Sequence, residues 1–394
     1  MDYNPFLPEV RDNPYPYYAA LRQQAPVYEV PGMGFWVVSR YEDVFFVLKN
    51  PQVFSSSALF AAVFGDLNPF LPEAPSLLSI DPPAHTRQRK LINRAFTPRR
   101  IAILETHLHE IVRQLIEQIT SHGECDLVRD FTAPFPAIAI AELLGVPPEH
   151  RHDFRRWVAD LERAASGMVF TETDREGIRQ SIAALRTYFQ TAIAGYRHKP
   201  SDNLLSDLVR AEEENQTLTS EEVLSMALLL LLGGIQTTTH LLGNAVLALC
   251  RHPGQFAKVR ENPALIPQLV EEMVRYDAPI QGLFRQTTQE VELAGTTLPA
   301  GAIVLPLFAS ANRDEHKFPD PDRFDIMRSP EGHLGFGFGI HFCLGAPLAR
   351  LEARVALEAL LRRFPRFALK EEYIPQVVPA LLRGPQTLPL TFDR

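Results

Sequence analysis

The run Phe336-Gly337-Phe338-Gly339-Ile340-His341-Phe342-Cys343-Leu344-Gly345 constrains this chain more than any other stretch. One cysteine stands among glycines and aromatic residues, and a helical pattern follows at once. Gly337, Gly339 and Gly345 carry no side chain, so backbone there can approach something large and flat. Pro347, just beyond Gly345-Ala346, suits the first turn of a helix. Cys343 therefore falls immediately before a helix N-terminus, where free N–H groups and the helix dipole favour a thiolate over a thiol. A thiolate in an apolar, glycine-lined loop is a good ligand for haem iron. A lone cysteine is more often a buried structural residue, and from this spacing alone both readings stand.

The chain has 394 residues, 46% of them hydrophobic, enough for a large core. At about 150 residues per domain its length allows two or three domains. No Gly/Ser tract, charge block, repeat or low-complexity run marks a linker, so a single domain over residues 1–394 is expected. The 33 prolines fit long connections between helices, and a net charge of −8 is too acidic for general nucleic-acid binding. The three cysteines, Cys125, Cys250 and Cys343, are too sparse and odd a set for a disulfide framework and point to a reducing cytoplasm. Met1-Asp2-Tyr3-Asn4-Pro5 is polar, with neither signal peptide nor anchor, so no membrane association is expected. The most apolar segment, Val223 to Ile235, is about 13 residues, which reads as a buried helix and not a membrane span.

Along the chain, Tyr17 to Gln24 reads as a helix, Phe35-Trp36-Val37-Val38 as a strand, and Tyr41 to Lys49 as a helix stopped before Pro51. Residues 55–80 read as a long loop with many apolar side chains, Phe60, Phe64 and Phe70 among them, and long loops in compact domains are usually functional. In Asp81 to Lys90 a helix opens on which His85 and Arg89, four apart, share a face. Glu142 to Pro147 is a helix end with a glycine stop, and Gly167 to Phe170 is a candidate pocket segment. Thr219 and Glu222 form a capping box for a helix running to about Arg251, roughly 48 Å at 1.5 Å per residue. Midway lies Gly233-Gly234-Ile235-Gln236-Thr237-Thr238-Thr239, poor helix formers that must bring a compensating benefit. Either the glycines clear room for a flat ligand and the threonines offer hydroxyls, or the helix is simply closely packed. Further strands are expected near 280–310 and 375–393.

The pattern Phe336, Gly339, His341, Cys343, Gly345 resembles the haem-binding loop of the cytochrome P450 family. From Trp36 to Leu390 the rest of the chain follows family order. The resemblance implies a mainly α fold with smaller β-sheet regions, holding haem b between the long central helix and the cysteine-loop helix. It implies Cys343 as the iron ligand, Phe336 and Gly345 beside the haem, and His85, Arg89, Arg285 and His341 as partners of the haem propionates. Thr237 would hydrogen-bond dioxygen. The family usually has Asp or Glu just before that threonine; this chain has Gln236. Glu272 and Arg275, with Arg323, match a structural charge network that braces the cysteine loop.

The implied activity is a monooxygenase that takes O2, two electrons and two protons and inserts one oxygen atom into a C–H or C=C bond. The implied substrate contacts are Phe60, Phe64, Phe70, Leu229, Leu232, Gly233, Ile280, Gln281, Leu283, Leu381 and Leu382. They carry no charge, which suits a mid-sized apolar molecule such as a terpenoid, steroid, fatty acid or polyketide, with Gln281 and Gln236 as polar anchors. Electrons would come from a ferredoxin and ferredoxin reductase, docked on the basic stretch Arg87, Arg89, Lys90, Arg94, Arg99 and Arg100 of a cytoplasmic monomer. A ligand-sensing haem protein and a non-haem thiol protein are the rival readings.

Overall fold

The computed structural model describes residues 3–119, 123–165, 170–213, 216–370 and 381–392, with side chains described at all of these but 98–100 and 212–213. Gly167–Val169, residues 375–380 of the last expected strand region, and the Arg99 and Arg100 side chains, named above, lie outside the described residues. Helix predominates and the sheets are small, as expected. The chain divides into two compact units, one of residues 1–55, 109–135 and 237–394, the other of residues 56–108 and 136–236.

In the first unit β-branched and aromatic residues build a five-stranded sheet in the order Val27–Val30, Phe35–Val38, Ile303–Pro306, Arg285–Thr287, Phe54–Ser55. The first two strands form an antiparallel pair, and Ile303–Pro306 runs parallel to Phe35–Val38. Val27, Val38, Phe54 and Val304 from the sheet pack with Val44, Val47 and Leu48 of helix Tyr41–Lys49. That helix buries positions at i, i+3 and i+4, the spacing of one face, and places Glu42 and Asp43 in its first turn, where the helix dipole favours acids. Helix Ile266–Tyr276 packs against helix Ala346–Arg363, which starts right after Gly345. A second, three-stranded sheet joins Phe367–Leu369, Pro389–Phe392 and Glu124–Asp126.

In the second unit helix Arg151–Ala164 packs along helix Glu172–His198, and both touch helix Ser220–Gly234. Thr219 and Glu222 make the expected capping box. Gly145 adopts φ +75°, and a Cβ there would meet the Asn203 side chain at 2.3 Å, so glycine is required at this helix stop. Residues 59–64 are a helix, not loop; Leu59, Phe60, Val63 and Phe64 recur at helical spacing. The Phe60 ring lies 5.6 Å from Phe64 and 4.5 Å from Phe70, and all three are buried. Asp66 pairs with Arg175 and Arg179, and Arg186 donates to the Pro69 carbonyl at 2.6 Å, so helix Glu172–His198 holds this segment down.

The long central helix is interrupted. Ser220–Gly234 ends at Ile235, with φ −93° and ψ −67°, and Gln236–Arg251 resumes the helix. The break falls at the weak helix formers. Taken as one span, Ser220–Arg251 is long and apolar enough to cross a membrane, but 67% of its most apolar window is buried.

Candidate active site

The cysteine loop is set by its glycines. Gly339 has φ +71°, and a Cβ there would sit 2.8 Å from the Leu48 carbonyl oxygen; only glycine permits both the conformation and the approach. The Phe338 ring packs 4.4 Å from Phe45, on helix Tyr41–Lys49. The Cys343 N–H donates to the Phe336 carbonyl at 2.9 Å, closing the loop. Gly345 is the N-cap of helix Ala346–Arg363, with Pro347 in its first turn. The Arg350 guanidinium lies 4.5 Å from the centre of the Phe336 ring. Cys343 and His341 are half-buried. Among the described residues no three His, Cys, Asp or Glu converge to hold a metal ion. A single cysteine on a glycine-lined loop suits a metal already held in a macrocycle, which needs just one protein ligand.

Glu272 and Arg275 are both wholly buried and meet through two bonds of 2.8 Å. Arg275 also donates to the carbonyls of Asn312 at 2.9 Å and Pro321 at 2.8 Å. Such a pair offsets its desolvation only when every group is satisfied, and here it is. Arg323 corrects the expectation. It contributes its backbone carbonyl, 3.3 Å from Arg275 Nη2, while its side chain is 63% exposed and paired with Asp325. The third side chain is Arg328, which donates to Glu272 at 3.3 Å and is 11% exposed. Beside this network Glu271 accepts from His333 at 3.1 Å and from Arg350. Burial pushes the Glu271 carboxyl up, but these partners outweigh it and hold it at about 2.

The four expected propionate partners are placed as follows. His85 is buried and Arg89 half-buried on helix Ala84–Ala95. Burial, and then the Arg89 charge, lower the His85 pKa, against the pull of Asp81. Arg285 is buried, donating to the Phe284 carbonyl at 2.8 Å, and His341 sits in the turn Gly339–His341. Of the basic stretch, Arg87 is committed to Glu222 and the Thr217 carbonyl.

The central helix supplies the clearest pattern. From Val223 to Leu249 every residue is buried except Leu229, Leu232, Gly233, Gly234, Gln236 and Thr237. Positions 229, 232, 233, 236 and 237 follow i, i+3, i+4, i+7 and i+8, which is one helix face. All five are expected site residues. The two glycines differ: a Cβ on Gly234 would meet Ile140 Cδ1 at 2.7 Å, whereas nothing lies within 4 Å of one on Gly233. Both readings of the glycine pair are thus realised, packing at Gly234 and clearance at Gly233.

Ile280 bridges Leu382 as an antiparallel pair, and the Gln281 N–H donates to the Leu381 carbonyl at 2.9 Å. Two expected substrate segments are thereby side by side. Ile280, Leu283, Leu381 and Leu382 are half-buried, the first two packed partly on the sheet core. Gln281 leaves the substrate set. It is 3% exposed, accepts from the Tyr18 hydroxyl at 3.1 Å and donates to the Ala278 carbonyl at 2.8 Å, so its amide fastens the turn.

Three ionisable groups along the central helix escaped the sequence reading: Glu352 and His240, which are buried, and Glu162, which is half-buried with its Oε1 shielded. Thr238 donates to Oε2 of Glu352 at 3.1 Å, and burial pushes the Glu352 carboxyl up to about 8 despite that bond. Burial pushes His240 down to about 4, leaving it neutral. Gln236 hydrogen-bonds Glu162, whose carboxyl burial raises to about 8 against that bond. Glu162 stands among charges that look like solvated surface, yet it follows the buried Phe154 and Val158 at four-residue steps and is itself half-buried, with Oε1 shielded.

A family model described as "Cytochrome P450" matches residues 6–392. The cytochrome P450 monooxygenase PikC of Streptomyces venezuelae is 40% identical over 97% of this chain and 92% of its own length. The vitamin D(3) 25-hydroxylase of Pseudonocardia autotrophica is 39% identical over 96% and 94%. Among solved structures, cytochrome P450 CYP109Q5 from Chondromyces apiculatus superposes with a TM-score of 0.90 at 41% identity, covering 98% of this chain and 97% of that one. CYP109E1 from Bacillus megaterium in complex with corticosterone gives 0.90 at 34% identity, covering 98% and 100%.

Proposed function

Because the chain belongs to the cytochrome P450 family, and is a haem b monooxygenase, we propose that it oxidises a mid-sized apolar molecule, hydroxylating or epoxidising it, with electrons from a ferredoxin and its reductase. When bound, the haem supplies the oxygen-inserting chemistry. Cys343 would ligate its iron through a thiolate favoured by the helix that follows. His85, Arg89, Arg285 and His341 would bond its propionates, with Phe336 and Gly345 against it. The family match runs through both compact units, so residues 1–394 are read as one functional domain, a cytoplasmic monomer.

The observation that carries the substrate reading is the part-exposed face that Leu229, Leu232, Gly233, Gln236 and Thr237 make between Val223 and Leu249, where the other residues except Gly234 are buried. Leu229 and Leu232 give it an apolar half, Gly233 clears space, and Gln236 and Thr237 give it a polar end. Within the first unit Ile280, Leu283, Leu381 and Leu382, and within the second the clustered Phe60, Phe64 and Phe70, likewise carry no charge. The corticosterone in a neighbour's crystal structure and the vitamin D(3) in a relative's name support the same class.

The test is spectroscopic. The purified protein, reduced and treated with carbon monoxide, should show the strongly red-shifted Soret band of a thiolate-ligated haem, and Cys343→Ala should lose it. A preparation with no Soret band would overturn the assignment. Steroids, terpenoids, fatty acids and polyketides, titrated in turn, should shift the resting spectrum where they bind.

A further inference from the structure

The reaction consumes two protons for each oxygen inserted, and a site that excludes water needs a place to keep one. We propose that Glu162 is that place: a carboxylic acid on helix Arg151–Ala164 that Gln236 fastens beside the exposed face of the central helix. The inference rests on the monooxygenase reading above. Glu162 Oε1 is shielded from solvent and has no hydrogen-bond partner among the described residues, while Gln236 bonds the carboxyl. Gln236 is itself one of the exposed-face positions, so the carboxyl reaches that face through it.

The chemistry of the pair assigns the proton. A glutamine amide cannot ionise, but its N–H can donate to one carboxyl oxygen. The acid proton then belongs on the other, Oε1. Burial keeps Glu162 protonated at neutral pH, its value raised to about 8. Among the described residues only the Gln236 bond works against burial here. On its own helix Arg163 is engaged by Asp160 and Asp174, Asp160 also accepts from Ser181, Arg151 pairs with Glu142, and Arg156 pairs with Asp153. From helix Glu172–His198, Tyr188 faces Phe154 and Trp157, and Arg175 and Arg179 are held by Asp66. From helix Ser220–Gly234, Glu222 is held by Arg87. In each turnover the Oε1–H bond breaks, the proton passes to a water on the exposed face, and the carboxylate is reprotonated from solvent. Glu162 thus acts as a proton donor that works through water, and it is restored at the end of each cycle.

The test uses the holoenzyme, first confirmed as thiolate-ligated by its carbon monoxide spectrum; failure there removes the monooxygenase reading before Glu162 is reached. Infrared difference spectra between wild type and Glu162→Gln should show a protonated carboxyl C=O band at neutral pH that titrates away near pH 8. With electrons supplied photochemically and no substrate added, oxygen consumption in Glu162→Gln should slow about a hundredfold, the low end of what a positioned proton donor contributes. Its solvent deuterium isotope effect should rise. Adding Gln236→Glu to Glu162→Gln should restore the rate by placing a carboxyl on the central helix. Gln236→Leu, which keeps Glu162 but removes its partner, should shift the infrared band and slow consumption. An ionised Glu162 at neutral pH, or Glu162→Gln with unchanged rate and isotope effect, overturns the proposal.

Discussion

Thr238 and Glu352 meet inside the chain by a 3.1 Å hydrogen bond, with Glu352 1% exposed and its second oxygen unpartnered among the described residues. Burial outweighs this bond and sets the folded-state value at about 8, against about 4.3 in an unfolded chain. Between those values the folded protein holds a proton that the unfolded chain has released, so this group's contribution falls as pH rises through the window. Above it both states are ionised and the contribution is constant. Glu352→Gln should remove the slope: the stability difference between variant and wild type, from urea titrations at pH 5 to 9, should change up to about pH 8 and then level off.

Gly233 and Gly234 should respond oppositely to one methyl group. Gly234→Ala drives Cβ against Ile140 and should cost about 1–3 kcal/mol by overpacking. Gly233→Ala meets nothing and should be neutral or stabilising by up to about 1 kcal/mol, since alanine is the better helix former. The same Gly233→Ala should weaken the binding of bulky apolar compounds, seen as smaller spectral shifts. Chemical denaturation of both variants checks the first contrast and ligand titration the second.

The charge network separates two arginines five residues apart. Arg323→Ala should leave stability within about 0.5 kcal/mol, because its side chain is at the surface and a backbone carbonyl survives substitution. Arg328→Ala deprives buried Glu272 of one partner and should cost about 1–3 kcal/mol. Arg275→Ala strands a buried carboxylate and should cost about 3–5 kcal/mol. Melting temperatures in that order, with haem retention falling in parallel, are the expected result.

Asp66 ties residues 65–67 to Arg175 and Arg179 at the protein surface. Asp66→Asn should barely move the melting temperature, since exposed pairs contribute little. It should speed amide hydrogen exchange over residues 59–70 and the binding and release of apolar compounds. Added salt should speed wild type towards the variant and leave Asp66→Asn unchanged.

What the sequence disclosed were the features whose information is local. The Cys343 loop, the Thr219–Glu222 capping box and the Glu272–Arg275 spacing each depend on a few neighbouring positions. Leu229, Leu232, Gly233, Gln236 and Thr237 were named because the resemblance implied them, and the structure adds that they share one helix face. Arg323 and Arg328 were not separable, because spacing does not tell a backbone carbonyl from a guanidinium. Gln281 read as a free polar anchor, since its partner Tyr18 is 263 residues away. Glu162 was obscured by the arginines and acids around it, although its four-residue spacing from Phe154 and Val158 carried the signal.

The turn that brings Ile280 to Leu382 is held by main-chain hydrogen bonds and by the fastened amide of Gln281. Its frame therefore does not depend on which side chains stand at Leu381 and Leu382. Those positions are free to diverge: a library randomised at both should yield folded, haem-loaded proteins at high frequency, differing in which compounds they accept. Selectivity in this chain can thus drift by substitution at a fixed contour, with no change in backbone register.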